Sequence, residues 1–396
     1  ALESPQLALP AAQPDAGRVT LSAALDAAWQ RALLARESEA QRRRTDADRA
    51  VADSLWAGSP ALSLNHRDDR LQGHAGRRET ELAVAVPLWM PGQRAAQADH
   101  AEAAAAQAEA AEQVARLRLA SEVRESAWQL ASLQTEATQA AAQAVVLTQV
   151  AEDVGRRVQA GELARADALA AQAEQLAALA GQTDVQQRLQ AARAHWTLLT
   201  GLAALPDPTE PVDASANATG SLHPALALAL LSTALARQGL TLVRHSQREA
   251  PELTVGLRQD TPGQGQATQG SLVLGLRLPF GTDARNRPLE AAALSELDLA
   301  ETRELRLREQ LDNEVAIARE ALRAAQVQLD SETARAALLR ERAALIDAAF
   351  RAGETPLTDS LRARAAAAQA LSAVQRQTAA LGLARARLQN ALGRLP

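Results

Sequence analysis

The chain has 396 residues and is 47% apolar, yet only 2% of it is aromatic, tyrosine and cysteine are absent, and much of the apolar share is alanine. Without cysteine there is no disulfide, thiol nucleophile, thiolate metal site or cysteine lipidation within it. All 42 basic residues are arginine, set against 47 acidic ones for a net charge of -5, which excludes Schiff-base lysines, Walker-type phosphate loops and a general nucleic-acid surface.

In chain order, Ala1–Gly17 carries three prolines and is expected to form an extended N-terminal arm. It lacks the basic, apolar and cleavage-site order of a secretory leader, so any leader is expected to have been removed or never present. Alanine buries little surface, so the segments that follow should depend on close helix packing. A first helix leads to a strand hairpin at about 60–90, a very long helix at 93–157, a tight turn near Gly161 and a second long helix at 162–200. Residues 202–220, rich in Pro, Asp, Ser and Asn, read as a connector. The same order then recurs, with a helix, a hairpin at about 251–280, and long helices at 283–351 and 356–394 around a turn near Gly353. These bounds divide the chain into an arm (1–17), a first repeat (18–201), a connector (202–220) and a second repeat (221–396). The most apolar run, Pro224–Ala236, is too short to cross a membrane as a helix.

The duplication rests on landmarks that coincide at a shift of about 192 residues. Leu82-Ala83-Val84-Ala85-Val86-Pro87-Leu88 falls on Leu274-Gly275-Leu276-Arg277-Leu278-Pro279-Phe280, and Val158-Gln159-Ala160-Gly161-Glu162 on Phe350-Arg351-Ala352-Gly353-Glu354. Pro60-Ala61-Leu62-Ser63 meets Pro251-Glu252-Leu253-Thr254 within one residue, and Leu199-Thr200-Gly201 meets Ala391-Leu392-Gly393. Inside the long helices, Leu119, Val123, Ser126, Leu130, Leu133 and Ala137 step by four and three, as do Leu311, Val315, Ala318, Leu322, Ala325 and Leu329. That is the heptad spacing of an antiparallel coiled coil, and each such helix would span on the order of 100 Å.

The hairpins alternate with period two. Leu62 and Leu64, then Leu82, Val84, Val86 and Leu88, share one face in the first copy. Leu253, Val255 and Leu257, then Leu272, Leu274, Leu276 and Leu278, share it in the second. The opposite face is small or charged. A soluble hairpin would bury the apolar side on protein, whereas a membrane barrel would turn it to lipid and leave the small side on a lumen. Four strands cannot close a barrel, so membrane strands would require oligomerisation: eight strands from a twofold assembly, twelve from a threefold one. Trp56, Trp89 and Phe280 fall where helices meet strands, as an interfacial aromatic belt would require.

In this order and in duplicate, the residues from about Val19 to Leu395 resemble the TolC-like outer-membrane factors, the exit ducts of tripartite efflux pumps and type I secretion. The sharpest parts are the corner Val86-Pro87-Leu88-Trp89-Met90-Pro91-Gly92-Gln93-Arg94 and the tip Phe350-Arg351-Ala352-Gly353-Glu354-Thr355-Pro356-Leu357-Thr358-Asp359-Ser360-Leu361. The corner is most similar to the heavy-metal cation efflux subgroup, which serves pumps of the resistance-nodulation-division type.

The resemblance implies a mainly α fold with a β-barrel part. It implies a homotrimer in the Gram-negative outer membrane, with twelve strands in a transmembrane barrel and the helices in a periplasmic tunnel. The lipid-facing residues would be Leu62, Leu64, Leu82, Val84, Val86, Leu253, Val255, Leu257, Leu272, Leu274 and Leu276. The loops Arg67–Arg78 and Thr261–Gly270 would be extracellular. Gly161, Glu162, Phe350, Gly353 and Glu354 would form the tip that docks a periplasmic adaptor, itself joined to an inner-membrane pump. Asp359 matches a pore-constricting carboxylate and Asp167 its counterpart in the first copy. The next matching position is Arg362 where some relatives have a second acid, so an Asp–Arg ion-pair gate is expected in place of a simple acidic ring.

No catalytic motif, cofactor site or metal-ligand spacing is found: His66, His74, His100, His195, His223 and His245 are scattered, and the chain is not expected to be an enzyme. The reading of another class is a soluble periplasmic scaffold or adaptor whose strands pack on a protein core.

Overall fold

The computed structural model describes residues 17–71, 73–210, 222–246, 249–280 and 283–396. Residues 1–16 of the expected arm and 211–220 of the expected connector lie outside them. In chain order the elements are β1 (Val19–Thr20), α1 (Leu21–Arg31), α2 (Leu33–Asp53), β2 (Ala61–Asp68), β3 (Arg78–Pro87), α3 (Gln93–Gln159) and α4 (Arg165–Thr200). They continue with β4 (Pro206–Asp207), α5 (Pro224–His245), β5 (Glu252–Thr261), β6 (Gln269–Arg277), α6 (Asp283–Arg351) and α7 (Leu357–Ala391). The described residues fall into two compact units, one drawn from residues 17–35, 114–210, 222–223 and 310–396, the other from the described residues between 36 and 113 and between 224 and 309.

The first unit is a bundle whose core follows the heptad seam. Leu119, Val123, Ser126, Leu130 and Leu133 of α3 are all buried, packed with Leu21, Leu25 and Ala28 of α1 and with Leu189 and Trp196 of α4. The corresponding seam of α6 is half-buried, apart from the buried Ala325. Thr20 caps α1 by accepting from the Ala23 N–H at 3.3 Å. The helix stops at Ala32, which is extended (ψ 138°) and whose N–H bonds to the Trp29 carbonyl, so the single first helix expected from sequence is in fact two. No proline or glycine marks that break. The connector also departs from its reading, because Pro206–Asp207 pairs in parallel with Val19–Thr20 and the Trp196 indole donates to the Ala204 carbonyl at 3.0 Å.

Arg124 is the most demanding group in this unit. Its side chain is 2% exposed, and it donates from Nε and Nη2 to both carboxylate oxygens of Glu210, at 2.6 and 3.0 Å. Nη1 donates to the Arg394 carbonyl at 3.0 Å. One guanidinium therefore joins mid-α3, the start of the connector and the C-terminal turn in a fork that lysine could not reproduce.

The second unit holds a four-stranded sheet of order β2-β3-β5-β6, antiparallel throughout. The two hairpins are thus joined through β3 and β5. Gly256 sits at that junction, where a Cβ would lie 2.7 Å from the Ala83 Cβ and 2.9 Å from the Leu82 carbonyl oxygen. Only glycine permits so close an approach. Arg94 closes the C-terminal end of α2 by donating to the Ala52 and Asp53 carbonyls, and the Trp89 indole donates to the Ser54 carbonyl at 3.1 Å. α5 runs on to His245, well past the apolar run read from sequence, and is the one described helix long and apolar enough to cross a membrane by length and composition. Three polar ties fix it to α6: Thr233 to Glu304 (3.1 Å), Arg237 to Glu301 (2.7 Å) and Arg244 to Glu290 (2.8 Å).

Candidate functional site

The residues singled out by sequence fall on two surfaces, one in each unit. On the sheet, register sorts them into rows. One face carries Val86, Leu253 and Leu276, then Leu62, Val84, Val255 and Leu274, then Leu64, Leu82, Leu257 and Leu272. Of these, Leu62, Leu64, Leu257, Leu272, Leu274 and Leu276 are 60–71% exposed, Leu82, Val84, Leu253 and Val255 are also exposed, and Val86 is half-buried. Apolar surface so continuous requires a cover or an apolar solvent. Towards the loops the same face turns polar, with a hydrogen bond of 2.9 Å between the His66 ring and the Thr80 hydroxyl.

The opposite face begins with Pro87, Glu252 and Arg277, continues with Ala61, Ala85, Thr254 and Gly275, then Ser63, Ala83, Gly256 and Val273. Its last two rows are charged: Asn65, Glu81, Arg258 and Ser271, then Arg67, Glu79, Asp260 and Gln269. Arg258 bridges the rows, pairing with Glu79 at 2.7 Å. Beyond them the loops are tied together by the Gln264 N–H donating to the Ala75 carbonyl at 2.9 Å. Phe280, 89% exposed, and the partly exposed Trp56 flank the sheet.

The second surface is the pair of helix-to-helix turns. Gly161 and Gly353 adopt φ of +79° and +80°, the left-handed conformation open to glycine. In each turn the glycine N–H bonds three residues back, to Val158 or Phe350, and the next N–H bonds five residues back, Glu162 to Arg157 and Glu354 to Ala349. These are two copies of one Schellman stop. Because the Glu162 N–H closes α3, α4 opens at Arg165 and not at Glu162. Glu162 and Glu354 are exposed. Phe350 is half-buried, packed with Val154, Leu357 and Leu361 in one cluster, and carries the Arg157 guanidinium over its ring at 5.9 Å. It therefore shapes the tip from within.

The two candidate gate carboxylates differ. Asp167 is committed to its own helix, accepting from the Ala164 N–H at 3.2 Å. At the corresponding position α7 has Pro356, which has no N–H, so Asp359 has no such bond. Asp359 is half-exposed and lies 4.0 Å from Arg362, a long pair made by a largely exposed arginine. Both carboxylates also favour the helix N-terminus electrostatically.

One polar cluster here has no counterpart in the sequence reading. Asp347 of α6 accepts from the Ser360 hydroxyl (3.1 Å) and from Arg364 Nε (3.0 Å) of α7, a terminal nitrogen of Arg364 reaches the same oxygen, and Arg351 takes the other at 2.8 Å. Burial raises the Asp347 pKa, but the Arg364, Ser360 and Arg351 interactions outweigh it and hold the carboxyl below the ordinary 3.8. The link should then be intact above that value and lost as the pH falls through the depressed one. Asp347→Asn is expected to cost about 2 kcal/mol at neutral pH and to remove that acid dependence, as read by thermal unfolding at stepped pH. Asp347 and Arg351 form an i,i+4 pair, but their link to Ser360 and Arg364 crosses the turn and has no periodic spacing to announce it, and the same holds for Arg124 with Glu210. Among the described residues no group of three or more His, Asp or Glu side chains could hold a metal ion.

No protein-family model and no curated protein matches the sequence. Solved structures do. The CmeC outer membrane channel of Campylobacter jejuni has a TM-score of 0.74 at 13% identity, covering 98% of this chain and 94% of that one. The outer membrane protein VceC of Vibrio cholerae gives 0.72 at 16%, covering 94% and 96%. CusC, described for its transmembrane channel formation, gives 0.73 at 16%, covering 99% and 98%. Over nearly its whole length, the chain has the fold of these outer-membrane channels.

Proposed function

We propose that this chain is the outer-membrane channel of a tripartite efflux system in a Gram-negative bacterium. Three copies supply twelve strands to one barrel, and their helices form a passive periplasmic exit duct. The observation that carries this reading is the sheet: four paired strands with one face of exposed leucine and valine, the other small or charged, and both edges open. Lipid satisfies the first face, a water-filled lumen the second and neighbouring copies the edges. The likeness to CmeC, VceC and CusC supports it.

The two repeats read from sequence are taken as the duplicated unit of this duct. A periplasmic adaptor docks at the Gly161 and Gly353 turns, through the exposed Glu162 and Glu354 on a frame set by Phe350, and hands over substrate from an inner-membrane pump of the resistance-nodulation-division type. The substrates proposed are heavy-metal cations, on the strength of the Trp89-Met90-Pro91-Gly92-Gln93-Arg94 corner and the likeness to CusC. Asp359 with Arg362 is the proposed constriction, and Asp167 is secondary to it because its carboxylate already caps α4.

The test is the molar mass of detergent-extracted protein from isolated outer membranes, corrected for bound detergent by light scattering, followed by bilayer recording. Three subunits per particle and a single-channel conductance that rises at least about twofold in Asp359→Ala are expected. A monomer in the soluble fraction would replace the duct with a periplasmic scaffold. A trimer with unchanged conductance would return Asp359 to a helix-terminal role.

A further inference from the structure

On the small-residue face of the sheet, charge lies at both ends: in the end row of Pro87, Glu252 and Arg277, and in the two rows nearest the loops. The two rows between them, Ala61, Ala85, Thr254 and Gly275 and then Ser63, Ala83, Gly256 and Val273, carry no charge. The next two contain Glu81 and Arg258, then Arg67, Glu79 and Asp260, all on the same side of the sheet by strict alternation from that register. The loop-side boundary of this neutral belt coincides with the level at which the apolar face gives way to His66, Thr80 and Gln259.

Within these rows the charges do not cancel. Arg258 is taken by Glu79 of the neighbouring strand at 2.7 Å, with the two side chains 40% and 29% exposed. Among the described residues Glu81 and Asp260 make no ion pair within 4.0 Å, although Glu81 is the register partner of Arg258 and Asp260 that of Glu79. Arg67 is exposed at the outer row. Each copy thus presents three carboxylates against two guanidiniums, with one guanidinium already neutralised.

We infer that these rows form a second electrostatic filter, an ion-paired acidic collar at the loop end of the conduit, separate from the Asp359 level. It would favour multivalent cations in transit, and Arg258 would set its strength by masking Glu79. The inference rests on the duct reading, because only a closed barrel turns this face onto a lumen. In a threefold assembly the collar would hold nine carboxylates around six guanidiniums. The low-dielectric wall behind small residues would focus their field on the axis.

The experiment is block of single-channel current by hexaamminecobalt(III) added on the loop side, with addition on the helix side as internal control. Glu81→Gln with Asp260→Asn should raise the half-blocking concentration from the loop side about fivefold. Arg258→Gln, which unmasks Glu79, should lower it by a similar factor, and neither should alter block from the other side. Opposite shifts from residues in register contact are not produced by a general loosening of the sheet. Channels of ordinary conductance with unchanged loop-side block in both variants would overturn the collar while leaving the duct intact. Failure of the unaltered protein to form channels would overturn both.

Discussion

Arg124→Met should be the most destabilising single change in the helical unit, lowering stability by about 3–5 kcal/mol, the range for removing one partner from a buried ion pair. The methionine fills much of the space but removes both donors that Arg124 gives the Glu210 carboxylate and the one it gives the Arg394 carbonyl. Arg124→Lys keeps the charge but not the fork, and should recover part of the loss. Glu210→Gln combined with Arg124→Met should be less harmful than the sum of the single changes, because no charge is then stranded. Thermal unfolding of these three variants and of Glu210→Gln alone, all solubilised in detergent, checks this. Additive losses would mean that the guanidinium acts through its bonds to Asn390 and Arg394 and not through Glu210.

Val84→Arg should abolish assembly into the outer membrane, whereas Ala85→Arg, one residue away on the other face, should be tolerated. Val84 lies in the middle apolar row, flanked by Leu62 and Val255. An arginine on a lipid-facing strand costs about 2–4 kcal/mol near the bilayer midplane, repeated in every copy. Ala85 points to the small-residue face beside Thr254, where water would solvate the new charge. The readout is the fraction of each variant recovered from outer membranes after alkaline extraction. Recovery of both variants in equal amounts would contradict the assignment of lipid to the leucine face.

The periodic parts of the fold were legible because one physical rule governs each of them over many residues. Leu62 to Leu64 and Leu272 to Leu276 alternate, and the structure has strands there with those side chains exposed on one face. Leu119 to Leu133 step by four and three, and all are buried. Gly161 and Gly353 were readable as turns because left-handed backbone is nearly reserved for glycine.

What was not legible depends on single long-range contacts. The break at Ala32 has no proline or glycine to announce it, and the bond from Thr20 to Ala23 concerns only the helix start. Pro206–Asp207 gives no strand signal in two residues, since its pairing exists only where Val19 and Thr20 lie beside it. At the tip the sequence could align Asp167 with Asp359 but could not separate them. Their difference lies in the residue three before each, Ala164 or Pro356, and becomes apparent only once helix starts are fixed.

The strand order β2-β3-β5-β6 bears on the timing of biogenesis. β2 and β6, of eight and nine residues, end the sheet on either side with about half their backbone groups unpaired. Each such group costs several kcal/mol in hydrocarbon, a total that no single copy could sustain. On the proposed reading, chains must find one another while still in water, so the committed step of biogenesis is an encounter of copies and not the entry of any one of them. The rate of appearance in the membrane would then rise more steeply than in proportion to expression, and a copy with a proline in β2 would act as a chain terminator on its unaltered neighbours.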